Sequence, residues 1–135
     1  MSRMMFVNLA VEDLQRSVDF FTGLGFKFNP QFTDENATCM VIGDEGYVML
    51  LVKDYFATFT KKDICDTSSQ VETLIGLSAE SREEVDTMAD KALASGGQPA
   101  NEAQDHGFMY SRSFLDPDGH TWEILWMDPS ALEQS

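Results

Sequence analysis

The stretch that decides the fold is Phe114–Trp126, which reads FLDPDGHTWEILW. Its Asp-Pro-Asp-Gly segment predicts a tight turn, because proline fixes φ and glycine accepts a positive φ. The residues after His120 are rich in aromatic and β-branched side chains, which favour a strand. The period of two places Thr121, Glu123 and Leu125 on one face and Trp122, Ile124 and Trp126 on the other. The sequence therefore predicts a hairpin strand with a single carboxylate on one face.

Outside this stretch, one pattern of elements occurs twice along the chain. A strand running into a helix cap is predicted at Phe6–Asp13 and again at Leu74–Ser81, with Asp13 and Ser81 as the N-caps. Each predicted helix ends at glycines, and three segments predicted to form strands follow it. These strands are Phe26–Phe32, Ala37–Ile42, Tyr47–Val52, Gln98–Ala103, Phe108–Leu115 and Thr121–Met127. The repeated βαβββ order predicts an α+β fold of two modules.

The closing hairpins of the two halves provide an alignment between them. Gly46 and Gly119 both fall in predicted turns. Counting onward from these glycines matches Leu50 of the first half to Glu123 of the second.

The length of 135 residues predicts a single domain, 1–135. Within it, residues 4–53 form the first module, 71–128 the second, and 54–70 a linker or lid. That segment carries Tyr55, Phe56 and Phe59. Connections of this length are often functional or contain a short helix, so two alternatives stand. Either the aromatic side chains close over a ligand, or they form a helical turn that seals one end of the core.

Charge and cysteine content narrow the classes of partner and compartment. With 23 acidic and 9 basic residues and a net charge of −14, the chain repels phosphate backbones and anionic lipids, which argues against nucleic acid or a membrane as partner. The same charge favours a cationic ligand. Cys39 and Cys65 allow at most one bridge. The N-terminal residues lack a signal-peptide pattern, and no segment approaches the roughly 20 apolar residues of a membrane span, so we expect a cytoplasmic protein.

Two motifs resemble those of the vicinal oxygen chelate superfamily. Phe6–Phe21, which reads FVNLAVEDLQRSVDFF, resembles its opening, and Asp116–Glu123, DPDGHTWE, resembles its closing motif. That superfamily contains glyoxalase I, bleomycin- and fosfomycin-resistance proteins and extradiol dioxygenases. The resemblance implies two βαβββ modules forming a curled, cup-shaped mixed sheet, with helices outside and ligand inside.

The resemblance also implies where a metal site would lie. Metal-dependent members take four ligands from the first and last strand of each module, and these positions fall on Phe6, on or next to Leu50, on Leu74 and on Glu123. A divalent transition metal needs three or four N, O or S donors, which one carboxylate does not supply. We therefore expect no metal and no other cofactor. A relocated site that uses His106 and Glu123 is the alternative.

An apolar cup with one acid is the expected binding site. An unpaired carboxylate there is costly, so Glu123 should find a partner in Asn8, Thr121, Tyr110, Arg112 or a ligand. Arg112 has the alternative of pairing with a neighbouring carboxylate, and His106 that of lying in solvent. The predicted substrate-binding residues are Phe6, Asn8, Leu50, Phe56, Leu74, Tyr110, Arg112 and Thr121.

The expected function is metal-free binding of a small organic molecule, as in bleomycin-resistance proteins, with Glu123 as the polar anchor. The resemblance implies a homodimer, and the ligand is expected to be cationic or to contain a carbonyl group. The alternative is a lyase or isomerase in which Glu123, with His106 or Tyr110, moves a proton, with or without a relocated metal. A third class, a protein–protein module, predicts a cup filled by Phe6, Leu50 and Leu74. The sequence leaves open whether the protein is an enzyme.

Overall fold

The computed structural model describes residues 3–132, with the backbone alone for Ala131 and Leu132. The chain divides into two compact units, one ending at Cys65 and the next beginning at Asp66. We call them module 1 and module 2. Each contains one mixed β-sheet and one long helix. The predicted α+β class with two βαβββ modules is therefore confirmed.

Module 1 has a four-stranded sheet in the order β1-β4-β3-β2, in which β1 runs parallel to β4 and the other pairs are antiparallel. The module also contains two 3₁₀ turns, Pro30–Phe32 between the second and third strands and Ala57–Phe59 after the fourth. The elements are β1 (Met5–Val11), α1 (Leu14–Gly23), β2 (Lys27–Asn29), β3 (Ala37–Val41), β4 (Gly46–Val52) and α2 (Lys53–Phe56). The predicted N-cap is confirmed, because the Asp13 carboxylate accepts a hydrogen bond from the Arg16 N–H.

Module 2 repeats this arrangement with one additional strand. Its sheet order is β5-β9-β8-β6, again with the first strand parallel to the last, and β7 pairs with β8. The elements are β5 (Leu74–Ser78), α3 (Arg82–Ala94), β6 (Gln98–Pro99), β7 (Gln104–Asp105), β8 (Met109–Leu115), β9 (Thr121–Met127) and α4 (Pro129–Leu132). Ser81 caps α3 as predicted, since its hydroxyl oxygen accepts from the Glu84 N–H at 3.1 Å.

Two predicted strands are shorter than expected, and proline is the reason in both. The first ends at Asn29, because Pro30 opens a 3₁₀ turn that the Asn29 side chain caps by accepting from the Gln31 N–H. The second, Gln98–Ala103, keeps only its first two residues in the sheet. Pro99 has no N–H to continue the ladder. The chain then leaves the sheet and returns as β7.

The core of each module lies between its sheet and its long helix. In module 2, α3 packs on β8 and β9, and Phe114, Trp122 and Ile124 are almost completely buried. In module 1, Phe20 and Phe21 of α1 are buried, as are the central residues of β3 and β4 that face this helix. The opposite face of each sheet is therefore the one available to a ligand. Among the described helices, none is both long enough and apolar enough to cross a membrane.

Candidate ligand sites on the two sheets

The turn before β9 is held by the carboxylate of Asp116, which is 3% exposed. Oδ1 accepts from the backbone N–H of Asp118 and His120 at 2.9 and 3.0 Å, and Oδ2 accepts from the Trp122 indole N–H at 3.0 Å. Burial raises the pKa of Asp116, and the nearby His120 and these donors oppose that rise. Gly119 adopts φ +85°, as the turn prediction requires. Asp116 thus connects the turn to the strand that carries Glu123.

Glu123 lies on the face predicted from the strand period. Its neighbours Trp122 and Ile124 are 0% exposed on the face toward α3, whereas Glu123 pairs in register with Gly76 of β5 and Ser113 of β8. A cavity of about 220 Å³ opens on this side of module 2. Its lining consists of Leu74, Asn101, Glu102, Gln104, Ser111, Arg112, Ser113 and Glu123. We call it the Glu123 cavity.

This cavity is polar, which corrects the prediction of an apolar cup around Glu123. Leu74 is the one hydrocarbon side chain among the described lining residues, and the segment after Pro99 contributes the polar groups of Asn101, Glu102 and Gln104. Within the described part of module 2, the Glu123 carboxylate has no hydrogen bond or ion pair. Its oxygens are therefore available to a donor supplied by a ligand.

Tyr110 does not line the Glu123 cavity, whereas Arg112 does, and neither side chain is hydrogen-bonded or ion-paired to the Glu123 carboxylate as described. Both alternate with Ser111 and Ser113 along β8, so their side chains lie toward α3. The Tyr110 hydroxyl donates to Asp86 at 2.6 Å, which raises the pKa of Tyr110. The Arg112 guanidinium contacts Asp86 at 3.1 Å and Asp90 at 2.8 Å. The alternative of a neighbouring carboxylate for Arg112 is the one observed.

Neither histidine lines the Glu123 cavity. His106 is exposed between β7 and β8, where its ring lies 6.4 Å from that of Phe108. Asp105 beside it is bound by Arg82 through two contacts of 2.9 Å, which hold the pKa of Asp105 at about 2. His120 is buried, with Nδ1 2.6 Å from Glu72 Oε1. The described structure therefore does not bring His106 into the cavity of Glu123, and a relocated metal site stays a prediction.

Module 1 has a separate cavity, of about 340 Å³, on the sheet face opposite α1. Side chains of β1, β3 and β4 form its floor: Asn8, Ala37, Met49 and Leu51. Its walls come from the 3₁₀ turn after β2 and from the segment after β4, and comprise Gln31, Phe32, Thr33, Asp34, Tyr55 and Phe59. We call it the aromatic pocket. Tyr55 and Phe59 meet edge to face, with ring centroids 5.1 Å apart.

The predicted position of Leu50 on this face is wrong. Leu50 is 0% exposed and pairs in register with Leu9 and Thr38, on the face toward α1. Met49, the register partner of Asn8, lies on the pocket face instead. Gly76 and Glu123 form the equivalent pair in module 2. Met49 is therefore the true counterpart of Glu123.

The other predicted residues are distributed unevenly between the cavities. Asn8 lines the aromatic pocket, and Leu74 lines the Glu123 cavity. Thr121 shares the face of Glu123 but does not line its cavity. Phe6 is 49% exposed and stacks on Tyr47, and Phe56 is half-buried and lines neither cavity. Since Phe6 and Leu74 are both exposed, they do not fill a collapsed cup.

Comparison with known proteins agrees with the fold and the motifs. The family model of the Glyoxalase/Bleomycin resistance protein/Dioxygenase superfamily matches residues 3–124. The chain belongs to this superfamily. No curated protein matches it in sequence.

Several solved structures are similar to this chain over nearly its whole length. A hypothetical protein from S. aureus is 31% identical, with a TM-score of 0.78 over 93% of this chain and 95% of that one. A glyoxalase/bleomycin resistance protein/dioxygenase family enzyme from Burkholderia phytofirmans PsJN is 16% identical, with a TM-score of 0.76 over 93% and 99%. The fosfomycin resistance protein FosX from Mesorhizobium loti is 16% identical, with a TM-score of 0.64 over 98% and 96%. The last two show the fold alone.

The residues at the superfamily metal positions do not fit a transition metal. With the register corrected, these positions hold Phe6, Met49, Leu74 and Glu123. That set has one carboxylate and one thioether, whereas Zn²⁺ and similar ions need three or four nitrogen, oxygen or thiolate donors. Within residues 3–132 as described, no group of three His, Cys, Asp or Glu side chains is arranged to hold an ion.

The sequence reasoning missed most of the aromatic pocket. Phe32, Met49 and Leu51 were not predicted as contacts, and Phe56 was chosen from the linker in place of Tyr55 and Phe59. A register worked from the β1–β4 pairing would have found Met49. The Asn101–Gln104 contribution had a visible signal, namely a polar segment beside the strand that borders Glu123.

Proposed function

We propose that this chain is a small-molecule-binding member of the superfamily that works without a metal at the superfamily position. The observation that carries the proposal is the Glu123 carboxylate, which lines a cavity in module 2 and has no protein partner within that module as described. A half-buried carboxylate that accepts no hydrogen bond is stabilised when a ligand donates an N–H or O–H to it. Glu123 is therefore the polar anchor.

The lining of the Glu123 cavity supports a polar ligand group. Asn101 and Gln104 supply side-chain amides that can donate and accept beside the carboxylate, while the Ser113 hydroxyl is hydrogen-bonded to the Asn101 backbone. An organic molecule with amine, hydroxyl or carbonyl groups matches this chemistry. The aromatic pocket of module 1, with Met49 and Leu51 in its floor, is by itself a second cavity suited to an organic group.

The test is a ligand screen by NMR with small amines, alcohols and carbonyl compounds. The Glu123→Gln variant keeps the shape of the side chain and removes its charge. This variant should lower the affinity for compounds bound in this cavity about tenfold or more, because a hydrogen bond to a charged group contributes about 1.5–3 kcal/mol. The matched control is Glu45→Gln, at an exposed hairpin residue. Equal affinities of Glu123→Gln and wild type for every bound compound would contradict the anchor.

The same cavity favours a second candidate, a lyase or isomerase with Glu123 as the acid–base group. The supporting observation is that the side-chain amides of Asn101 and Gln104 supply donors for a carbonyl oxygen in the cavity that holds the carboxylate. Tyr110 and His106 have no part in this version, since neither lines the cavity. Catalysis predicts exchange of α-hydrogens of carbonyl compounds in deuterated water. Exchange that Glu123→Gln leaves unchanged would remove this candidate.

The homodimer and the cytoplasmic location belong to the same proposal. Light scattering of the purified chain measures the first, and cell fractionation measures the second. A monomer at micromolar concentration would contradict the proposed dimer.

A further inference from the structure

We infer that the aromatic pocket of module 1 recognises an organic cation, specifically an alkylated ammonium group. The inference rests on the proposed small-molecule function and adds the ligand class. It starts from three aromatic side chains, Phe32, Tyr55 and Phe59, that line one cavity while 59%, 38% and 67% exposed. Exposed apolar surface gathered at one concave site marks a binding surface, whereas scattered exposed residues need no explanation.

The geometry of the rings suits a cation. Tyr55 and Phe59 lie at 81° to one another, so they present two ring surfaces at nearly a right angle. Aromatic faces carry negative charge density and attract a cation placed within about 6 Å of the ring centre. The Met49 thioether in the floor adds a polarisable contact. A rounded alkylammonium group therefore has favourable surfaces both beside and below it.

The charges around the pocket exclude the opposite class of ligand. None of its described lining residues is Lys, Arg or His, and Asp34 contributes a carboxylate. The backbone N–H groups of Asn36 and Ala37 hold Asp34 Oδ1 at 2.8 and 3.0 Å, which fixes this carboxylate at the wall. The chain has a net charge of −14. An anion would meet repulsion with no counter-charge, while a cation is attracted at long and at short range.

Alkylation of the ammonium group follows from the apolar floor. A primary ammonium is strongly hydrated, and the side chains of Ala37, Met49 and Leu51 offer no acceptor to replace the water it would lose against them. An alkylated ammonium has little to lose by desolvation and gains apolar contact. A cavity of about 340 Å³ accommodates such a group together with a ring or short chain.

The experiment compares three probes of one shape that differ in charge: benzyltrimethylammonium, its neutral carbon isostere neopentylbenzene, and the anion benzylsulfonate. Titrations are followed by ¹³C-methyl methionine NMR, in which the Met49 resonance reports occupancy of the pocket floor. The cation should bind about tenfold tighter than the neutral isostere, and the anion should not bind. Equal or tighter binding of the neutral isostere would overturn the cation class and leave small-molecule binding standing.

Two variants separate attraction to a ring face from apolar contact. Phe59→Leu should lower the affinity for the cation about fivefold or more and change the affinity for the neutral isostere little, because leucine keeps the apolar contact and removes the ring face. Phe108→Ala is the control, since Phe108 is 51% exposed and lines neither cavity. Unchanged cation affinity in Phe59→Leu would contradict the inference. A Met49 resonance that responds to none of the probes would overturn the pocket as a ligand site.

Discussion

Removal of the Asp116 carboxylate should destabilise module 2 more than any other single truncation of a polar side chain in its closing hairpin. The carboxylate satisfies two backbone N–H groups and the Trp122 indole at 2.9–3.0 Å. Asp116→Ala leaves these donors without an acceptor in a region where Asp116 and Trp122 are at most 3% exposed. The change therefore disturbs the turn and the core together.

The magnitude follows from the three lost bonds. A buried donor left unsatisfied costs about 1–3 kcal/mol, and the partly buried Asp118 N–H regains water more readily than the others. The burial that raises the pKa of Asp116 offsets part of what its charge contributes. We expect a loss of about 3–5 kcal/mol in the free energy of unfolding for Asp116→Ala. Asp116→Asn keeps one acceptor oxygen, and we expect it to lose about 1–3 kcal/mol.

Urea unfolding followed by tryptophan fluorescence measures these losses, because Trp122 is buried beside the substitution. Asp44→Ala is the control, since Asp44 lies exposed in the other hairpin and should change stability by no more than about 0.5 kcal/mol. The asparagine variant remains measurable if the alanine variant does not fold. A loss below about 1 kcal/mol for Asp116→Ala would refute the role assigned to this carboxylate.

Two further predictions concern a glycine and an ion pair. Gly119→Ala should destabilise the chain by about 2–4 kcal/mol, because φ is +85° and the new Cβ would lie 2.7 Å from the Thr67 carbonyl oxygen. Gly43 has open space around it and no positive φ, so Gly43→Ala should change thermal stability little. Equal melting temperatures of the two variants would contradict this. Asp105 should titrate at a pKa of about 2 in carboxyl NMR, and Arg82→Gln should return it toward 3.8. Since the folded pKa lies below the ordinary value, the stability from this pair is present above about pH 4 and is lost as pH falls toward about 2. A wild-type Asp105 that titrates near 3.8 would show that the Arg82 contact does not form in solution.

The hairpin of Glu123 was predictable because its determinants are local. The Asp-Pro-Asp-Gly turn and the strand period place Trp122 and Ile124 in the core and Glu123 on the other face, as observed. The residue of module 1 that corresponds to Glu123 could not be predicted from the two turn glycines. Gly46 is already the first residue of β4, whereas Gly119 lies inside a turn. Matching these two glycines therefore shifted the alignment of the two modules by one residue. A shift of one residue moves every side chain of a strand to the opposite face of the sheet.

The character of the Glu123 cavity depended on tertiary structure. Its amides come from the segment where Pro99 interrupts strand pairing, and no strand period describes such a segment. The face of β8 on which Tyr110 and Arg112 lie stayed open, because the spacing of residues within β8 does not by itself fix its register with β9. The pairing of Leu115 with Thr121 across the hairpin sets this register, and it directs the side chains of Tyr110 and Arg112 toward α3.

The central claim is that this superfamily member works without a metal at the superfamily position, where Phe6, Met49 and Leu74 accompany Glu123. Equilibrium dialysis against Zn²⁺, Ni²⁺, Mn²⁺ and Fe²⁺, followed by elemental analysis, tests it most directly. The account predicts far less than one ion per chain, with no difference between wild type and Glu123→Gln. One tightly bound ion per chain that is lost in Glu123→Gln would contradict it.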